Sequence, residues 1–307
     1  MLSILLGSIT GLGCALVCAC LVRFIFRYMK RAPVLKGPVV FSPQISPKSL
    51  QSALANQTLV LINGRYYKAA LDNGFTVAVK TYDTGSQRKS VKRRIQMDLE
   101  RLAGLRHRHL MSLRAYVGEA ARFRLVYDYV PTGSLEDAMR RGNQLGWDAR
   151  LRIAVGIIKG LQYLHFTCNP RILHYNLKPS NVLLDANFEP RLGDCGLAHT
   201  FVDDGMRSSY YAPECFPNFS FGVILGILLT GKDPSDPLTS GMGMWFRQLV
   251  EAGDGREALD KSLLGEETEE DEMLMVVRIA AVCLSDMPAD RPSSDELVPM
   301  LTQLHSF

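Results

Sequence analysis

The hydropathy pattern divides the chain into three stretches. Met1 to Val22 contains no charged side chain, and a helix of 22 residues would span about 33 Å, enough to cross a bilayer core. From residue 23 to 57 no apolar period is sustained. Pro33, Pro38, Pro43 and Pro47 punctuate this stretch, which predicts a semi-extended linker. Beyond it, Phe75–Lys80 alternates apolar residues and ends on a lysine, the pattern of a strand. A charged helical stretch follows from about Ser86 to Leu105, then a second apolar strand, Phe123–Val130, then a largely helical half. Within that half, Phe219–Thr230 is apolar all round yet too short to span a bilayer, so it predicts a buried central helix. Strands first and helices later give an α+β, two-lobed arrangement. No repeat with a period of 20–50 residues is evident.

Charge sharpens the first division. The net charge is only +4, but residues 1–71 hold eight Lys or Arg and no acid, so all 31 acids lie from Asp72 onward. Arg23, Arg27, Lys30 and Arg31 flank the apolar start on its C-terminal side, which places that side in the cytosol. A cleaved signal peptide is the competing reading, and it would carry its basic residues at the other end. Ser3, Gly7, Gly11 and Ala15 recur every four residues. They form either a helix-packing face or the ordinary small-residue content of a membrane helix. Cys14, Cys18 and Cys20 read as apolar filler or as acylation sites. With so little before the helix, no ectodomain is expected. Seven cysteines without repeated C-x-x-C pairs exclude a disulfide scaffold and a zinc framework. Ser42-Pro43 and Ser46-Pro47 read as turns, with phosphorylation sites as the alternative.

Chemistry enters through the order of short motifs. VAVK at 77–80 is followed by RHRHL at 106–110, LVYDYVPTGSL at 125–135 and HYNLKPSNVLLD at 174–185. GDCGLA at 193–198, YAPE at 211–214 and DRPSSDEL at 290–297 complete the series. Residues 58–307 thereby resemble the plant receptor-like protein kinases, and most closely an inactive, membrane-anchored type among them. The resemblance implies a β-rich lobe over about 58–130 and a helical lobe over about 131–307.

It also implies site roles. Phosphoryl transfer needs a phosphate cradle, a lysine, metal-holding groups and a residue that accepts the substrate proton. Lys80 takes the place of the strand lysine, Asn181 and Asp194 those of the two magnesium-holding residues, and Lys178 that of the phosphate-facing loop lysine. Tyr127 stands at the gatekeeper position, with Asp128–Val130 as the hinge. Glu214 is expected to pair with Arg291.

The departures from the family pattern are as informative. Asn176 replaces the catalytic base and has no carboxylate to take a proton, and Tyr175 replaces the arginine before it. With Gly64 aligned to the third glycine of the phosphate loop, Leu59 and Leu61 fall on the first two and Tyr66 on the valine, so side chains replace the close backbone approach that glycine allows. Asp98 takes the place of the helix glutamate that pairs with the lysine, one methylene shorter. Cys195 replaces the phenylalanine that follows the metal-holding aspartate, as buried filler or a reactive thiol. Only Cys215–Phe219 separate Glu214 of YAPE from Ser220, where the family has a longer connection, and Pro217 falls near a family aspartate; a splice form or a gene-model gap would explain this equally. The run Glu266–Glu272 reads as a solvated loop or helix start, with a docking patch as the alternative.

These features predict a membrane-anchored pseudokinase that requires no cofactor and binds ATP and magnesium weakly at most. By resemblance, it would work as an adaptor or co-receptor beside a leucine-rich-repeat receptor-like protein, through transmembrane and juxtamembrane contacts, in peptide-ligand meristem signalling of the CLAVATA type. Homo-oligomers and cytosolic kinases or effectors are further expected partners, and nucleic acid is not. The expected location is the cell membrane, with the endoplasmic reticulum when unpartnered. The alternative is a weakly active ATP-dependent Ser/Thr kinase, since loss of a general base costs about 10²–10⁴-fold.

Overall fold

A computed structural model describes residues 17, 19–23, 37–55, 60–62, 66–83, 89–119, 121–141, 145–197, 217–232, 241–264 and 267–304. Six antiparallel strands form the first lobe: β1 (Gly37–Val40), β2 (Val60–Ile62), β3 (Tyr66–Ala70), β4 (Thr76–Asp83), β5 (Leu113–Gly118) and β6 (Arg122–Asp128). Their spatial order is β1-β5-β6-β4-β3-β2. Alternation sorts the side chains to two faces. Val77 and Val79 of β4 join Ala115 and Val126 in one apolar cluster. Ala78 of β4 joins Phe123, Leu125 and Tyr127 of β6 in the other. The first face is covered by helix α1 (Pro47–Ala55) through Leu50, Ala53 and Leu54. The second receives α2 (Lys89–Leu102) through Ile95 and Leu99.

This arrangement corrects the expected domain boundaries. Residues 37–55 do not belong to a linker: β1 pairs with β5 from Gly37↔Gly118 to Val40↔Ala115, and α1 is part of the core. The prolines misled because Pro38 and Pro47 each sit where proline is tolerated. Pro38 lies on an edge strand, where the missing N–H removes no essential ladder bond. Pro47 opens a helix, where that N–H would be unpaired in any case. Ser42 is buried and its carbonyl accepts from the Ile45 N–H, while the Ser46 carbonyl accepts from Leu50. Ser42 thus serves a turn, and Ser46 the start of α1.

The second lobe is helical: α3 (Leu135–Arg140), α4 (Trp147–Gln162), α5 (Pro217–Thr230), α6 (Met242–Ala252), α7 (Glu267–Cys283) and α8 (Ser294–Thr302). A two-stranded ribbon of β7 (Val182–Leu184) and β8 (Pro190–Leu192) lies toward the cleft. As expected, α5 is the buried centre. Phe221, Ile224, Leu225, Ile227 and Leu229 are sealed from solvent, a helix that is apolar all round. Gly222 lets α7 approach, because a Cβ there would stand 2.7 Å from the Cys283 Cβ. The acidic run opens α7, where negative charge suits the positive end of the helix dipole.

Among the described residues, no helix is long and apolar enough to cross a membrane. Of the expected span, Val17 and residues 19–22 are described; they are helical and exposed, as is Arg23 just beyond it. Ser3, Gly7, Gly11 and Ala15 lie outside the described residues, as do Leu59, Gly64, Glu214 and Cys215.

Candidate functional site between the lobes

The cleft is built from β4, β6 and the segment after β8. Lys80 and Tyr82 are two residues apart on β4 and therefore project to the same face. Both reach Asp194. The Lys80 ammonium forms a short ion pair with Asp194 Oδ2, and the Tyr82 hydroxyl donates to Oδ1 at 2.6 Å. Burial by itself raises the Asp194 carboxyl, but the Lys80 charge and the bonds from Lys80 and Tyr82 outweigh it and hold the group below the usual carboxylate range. Asp194 is therefore an anion whose two oxygens are both engaged by protein donors.

Asp194 sits at φ 61°, in the left-handed region. For a residue other than glycine this costs about 1 kcal/mol or more, which the charge-assisted bonds offset. Tyr175 shares the conformation, at φ 56°. Directly before Tyr175, His174 is fully buried. Its Nδ1 accepts from the Asn176 N–H at 3.3 Å, while its Nε2 has no partner among the described residues. Burial pulls the His174 imidazole down to about 4, against an upward pull from Asp194, so it is neutral near pH 7.

Asn176 presents its amide to Asp194 Oδ2 at 3.5 Å. A carboxylate in its place would repel Asp194; the amide donates instead. Asn181 donates from Nδ2 to the Asn176 carbonyl at 2.7 Å, and its carbonyl accepts from Gly193 at 2.8 Å. Its buried Oδ1 has no partner among the described residues. Lys178 is half-buried at the start of the short turn Pro179–Asn181, and its carbonyl accepts from the Asn181 N–H at 2.9 Å. The set of donors suits magnesium poorly. That ion takes oxygen ligands in a strict octahedron, and Asn181 Oδ1 qualifies, but Asp194 would first have to release Tyr82 and Lys80.

Aromatic rings pack around the ion pair. Tyr66 and Tyr82 each place a ring centroid 5.2 Å from the Lys80 ammonium. The ring of Tyr66 meets that of Tyr127 edge-on at 6.5 Å, and its hydroxyl would lie 2.9 Å from a Cβ on Gly193. Tyr66 thus stretches from β3 across the cleft to the floor before Asp194, and it is 5% exposed. The phenols of Tyr82 and Tyr127 are pushed well up by burial first and by Asp194 second. Tyr82 escaped the sequence reading, although its place two residues after Lys80 on an alternating strand was a usable signal.

Several expected residues do other work. Lys80 pairs with Asp194 and not with Asp98. The core-facing side of α2 is formed by Ile95 and Leu99, and Asp98 is turned about 100° from Leu99. It lines a separate cavity with Arg94 and Arg101. Asp128 is held by Arg114 through two bonds of 2.9 and 2.7 Å, and the first cause of the raised Arg114 guanidinium is that bonding. Val130 is half-buried against the cleft-side cluster. Cys195 is partly buried beside the helical core and donates to the Leu192 carbonyl at 3.5 Å. Burial pushes its thiol far up, so it is unreactive filler. Arg291 packs its guanidinium 4.9 Å from the Phe219 ring and donates to the Ser285 carbonyl at 2.8 Å.

Comparisons with known proteins agree with this geometry. The protein kinase domain family model matches residues 63–300. The chain is 58% identical, over 94% of its length and 79% of the relative's, to the inactive leucine-rich repeat receptor-like protein kinase CORYNE of Arabidopsis thaliana. That match runs over 323 positions, more than the 307 residues here, so the relative has internal stretches without counterpart in this chain. The leucine-rich repeat receptor-like serine/threonine/tyrosine-protein kinase SOBIR1 of Arabidopsis thaliana is 36% identical over 87% of the chain, which spans 49% of that relative. Among solved structures, the pseudokinase domain of BIR2, an immune regulator of the RLK/Pelle family, superposes with a TM-score of 0.74 at 28% identity. That superposition covers 91% of this chain and 92% of the other.

Proposed function

The chain belongs to the protein kinase family, among the plant receptor-like kinases, and from that premise we propose that it is a signalling pseudokinase. The observation that carries this reading is the state of Asp194. Its two oxygens are engaged by Lys80 and Tyr82, the rings of Tyr66 and Tyr127 flank the pair, and the base position is an amide. Three requirements of phosphoryl transfer are weakened together: the cation at the aspartate, the nucleotide beside the lysine and the proton acceptor. In this reading Lys80, Asp98, Gly64, Tyr127, Asp128 and Val130 are vestiges of a nucleotide site, and Asn181 and Asp194 vestiges of a magnesium site. Asn176 and Lys178 line an idle catalytic loop, while Glu214 and Arg291 keep the helical lobe tied together. Magnesium and ATP are not required.

The names of the relatives support the rest of the proposal. A cytosolic pseudokinase on an apolar anchor would act beside a leucine-rich-repeat receptor-like protein, dividing peptide sensing and cytosolic docking between two chains at the cell membrane. The small face Ser3–Gly7–Gly11–Ala15 would supply the helix contact. Two measurements test the reading. Autophosphorylation of the full chain should stay at background both in the native form and in Asn176→Asp, because the acid restores one requirement only; robust activity in either overturns it. Gly7→Ile with Gly11→Ile should leave membrane insertion intact and weaken co-purification with a leucine-rich-repeat receptor-like protein. Unchanged association would move the contact to the juxtamembrane or cytosolic parts.

A further inference from the structure

The outward side of α7 carries apolar residues that its seat in the lobe does not use. Met273, Val276, Val277, Ala280 and Cys283 are buried and hold the helix against the core. On the opposite side Asp271, Met275, Arg278 and Val282 are exposed, Met275 by 43% and Val282 by 44%. A surface helix ordinarily turns polar residues to solvent, whereas here two of these four outward positions are apolar. The steps of four, three and four between them are those of the seam in a helix pair. Asp271 and Arg278 also lack the engagements of their neighbours. Glu270 pairs with Arg256 at 3.1 Å, and Glu272 accepts from Trp147 Nε1 at 2.9 Å. No ion pair or hydrogen bond ties Asp271 or Arg278 to a described residue.

We propose that this face is a docking surface for a second copy of the chain, the two α7 helices lying antiparallel across a two-fold axis. The stripe is self-complementary in charge. Asp271 and Arg278 are two turns apart, about 10.5 Å along the helix, with Met275 between them. Antiparallel pairing about Met275 brings Asp271 of each copy level with Arg278 of the other, and the two Met275 side chains meet at the axis. Parallel pairing would set Asp271 on Asp271 and Arg278 on Arg278, so the charges select the orientation as well as the partner. A contact of this kind uses the same patch on both copies and closes at two. Methionine suits its centre, being flexible enough to fill an irregular gap. A stripe of this length buries less than the roughly 800 Å² per partner of a standard interface, so the pairing is weak and reversible. Confining both copies to one membrane would strengthen it by raising their effective concentration.

The test uses full chains in detergent carrying two different tags, with co-purification and sedimentation as readouts. Native chains should associate reversibly as their concentration rises. Asp271→Arg sets Arg against Arg at both ends of the contact, and Arg278→Asp sets Asp against Asp. Each alone should weaken self-association by at least about tenfold. Mixed with each other, the two variants regain opposite charges at both ends and should associate as the native chain does. Met275→Cys, treated with a mild thiol oxidant, should give a disulfide-linked dimer above the native background, while Met300→Cys on α8 should not. All four positions are exposed, so the variants should melt at the native temperature, which separates lost pairing from lost folding. A native chain that stays monomeric, undiminished self-association of the single variants, or a mixture that fails to recover the pairing overturns the proposal.

Discussion

Two carboxylates receive a cation at the edge of the dry interior, and they are surrounded very differently. In the helical lobe Arg150 binds Asp260 at 2.7 Å, with the arginine side chain 4% exposed. Its other donors reach the Leu145 and Leu228 carbonyls at 2.7 Å, and Asp260 Oδ1 accepts from the Ser262 N–H at 3.0 Å. In the cleft, Asp194 is fully buried against Lys80 but sits on left-handed backbone. His174 Nε2 and Asn181 Oδ1 have no partner beside it among the described residues. The first pair is a finished structural joint. The second keeps the residue types of a catalytic centre, closed by two phenols. A buried polar network is stable when every member is satisfied and costly when one is not, so the lobe core and the cleft should respond differently to substitution.

The largest effect is expected at the finished joint. Arg150→Met leaves Asp260 and two backbone carbonyls without their donor, and should cost about 3–5 kcal/mol in chemical denaturation. Removing both charges of the cleft pair, by Lys80→Met with Asp194→Asn, should cost well under that, because replacing both partners of a buried pair is often close to neutral. Equal losses would erase the distinction drawn here.

The pH dependence comes next. His174 in the cleft and His165 against α8 are each brought down to about 4, by burial first. The unfolded chain takes up these protons near 6.5, so above that pH neither histidine costs stability. As the pH falls from 6.5 toward 4 the unfolded state gains protons first, and stability should drop by a few kcal/mol. His174→Gln and His165→Gln should each flatten part of that slope; an unchanged slope in both would assign the acid sensitivity elsewhere.

A smaller change follows from Tyr82→Phe. Loss of one bond to a buried carboxylate should lower stability by about 1.5–3 kcal/mol, read as a shift in denaturation midpoint at constant m-value. The same variant leaves one Asp194 oxygen without that donor, so a magnesium-dependent stabilisation absent from the native chain should become detectable.

How far the sequence reached differs between the same two regions. The helical lobe was legible because α5 announces itself by being apolar throughout and the motifs fix its neighbours. The cleft was legible as a set of replaced residues, among them Asn176, Tyr66 and Cys195. What they do together was not, since the Lys80–Asp194 bond spans 114 positions and the filling depends on ring packing rather than on spacing. Tyr82 lay within reach of simple strand alternation. The β1–α1 segment was lost for a different reason: edge strands and helix first turns accept proline, so proline content alone does not mark a linker.

The most direct test of the central claim is a nucleotide titration of the full chain, with and without magnesium, followed by thermal melting. A ligand present at 100 times its Kd stabilises by about 2.7 kcal/mol, a shift that melting resolves easily. The native chain should show no shift with millimolar ATP and magnesium, while Tyr66→Val with Tyr82→Phe, which removes the filling ring and the phenol bond, should gain one. A saturable, magnesium-dependent shift in the native chain would contradict the account and return nucleotide binding to its function.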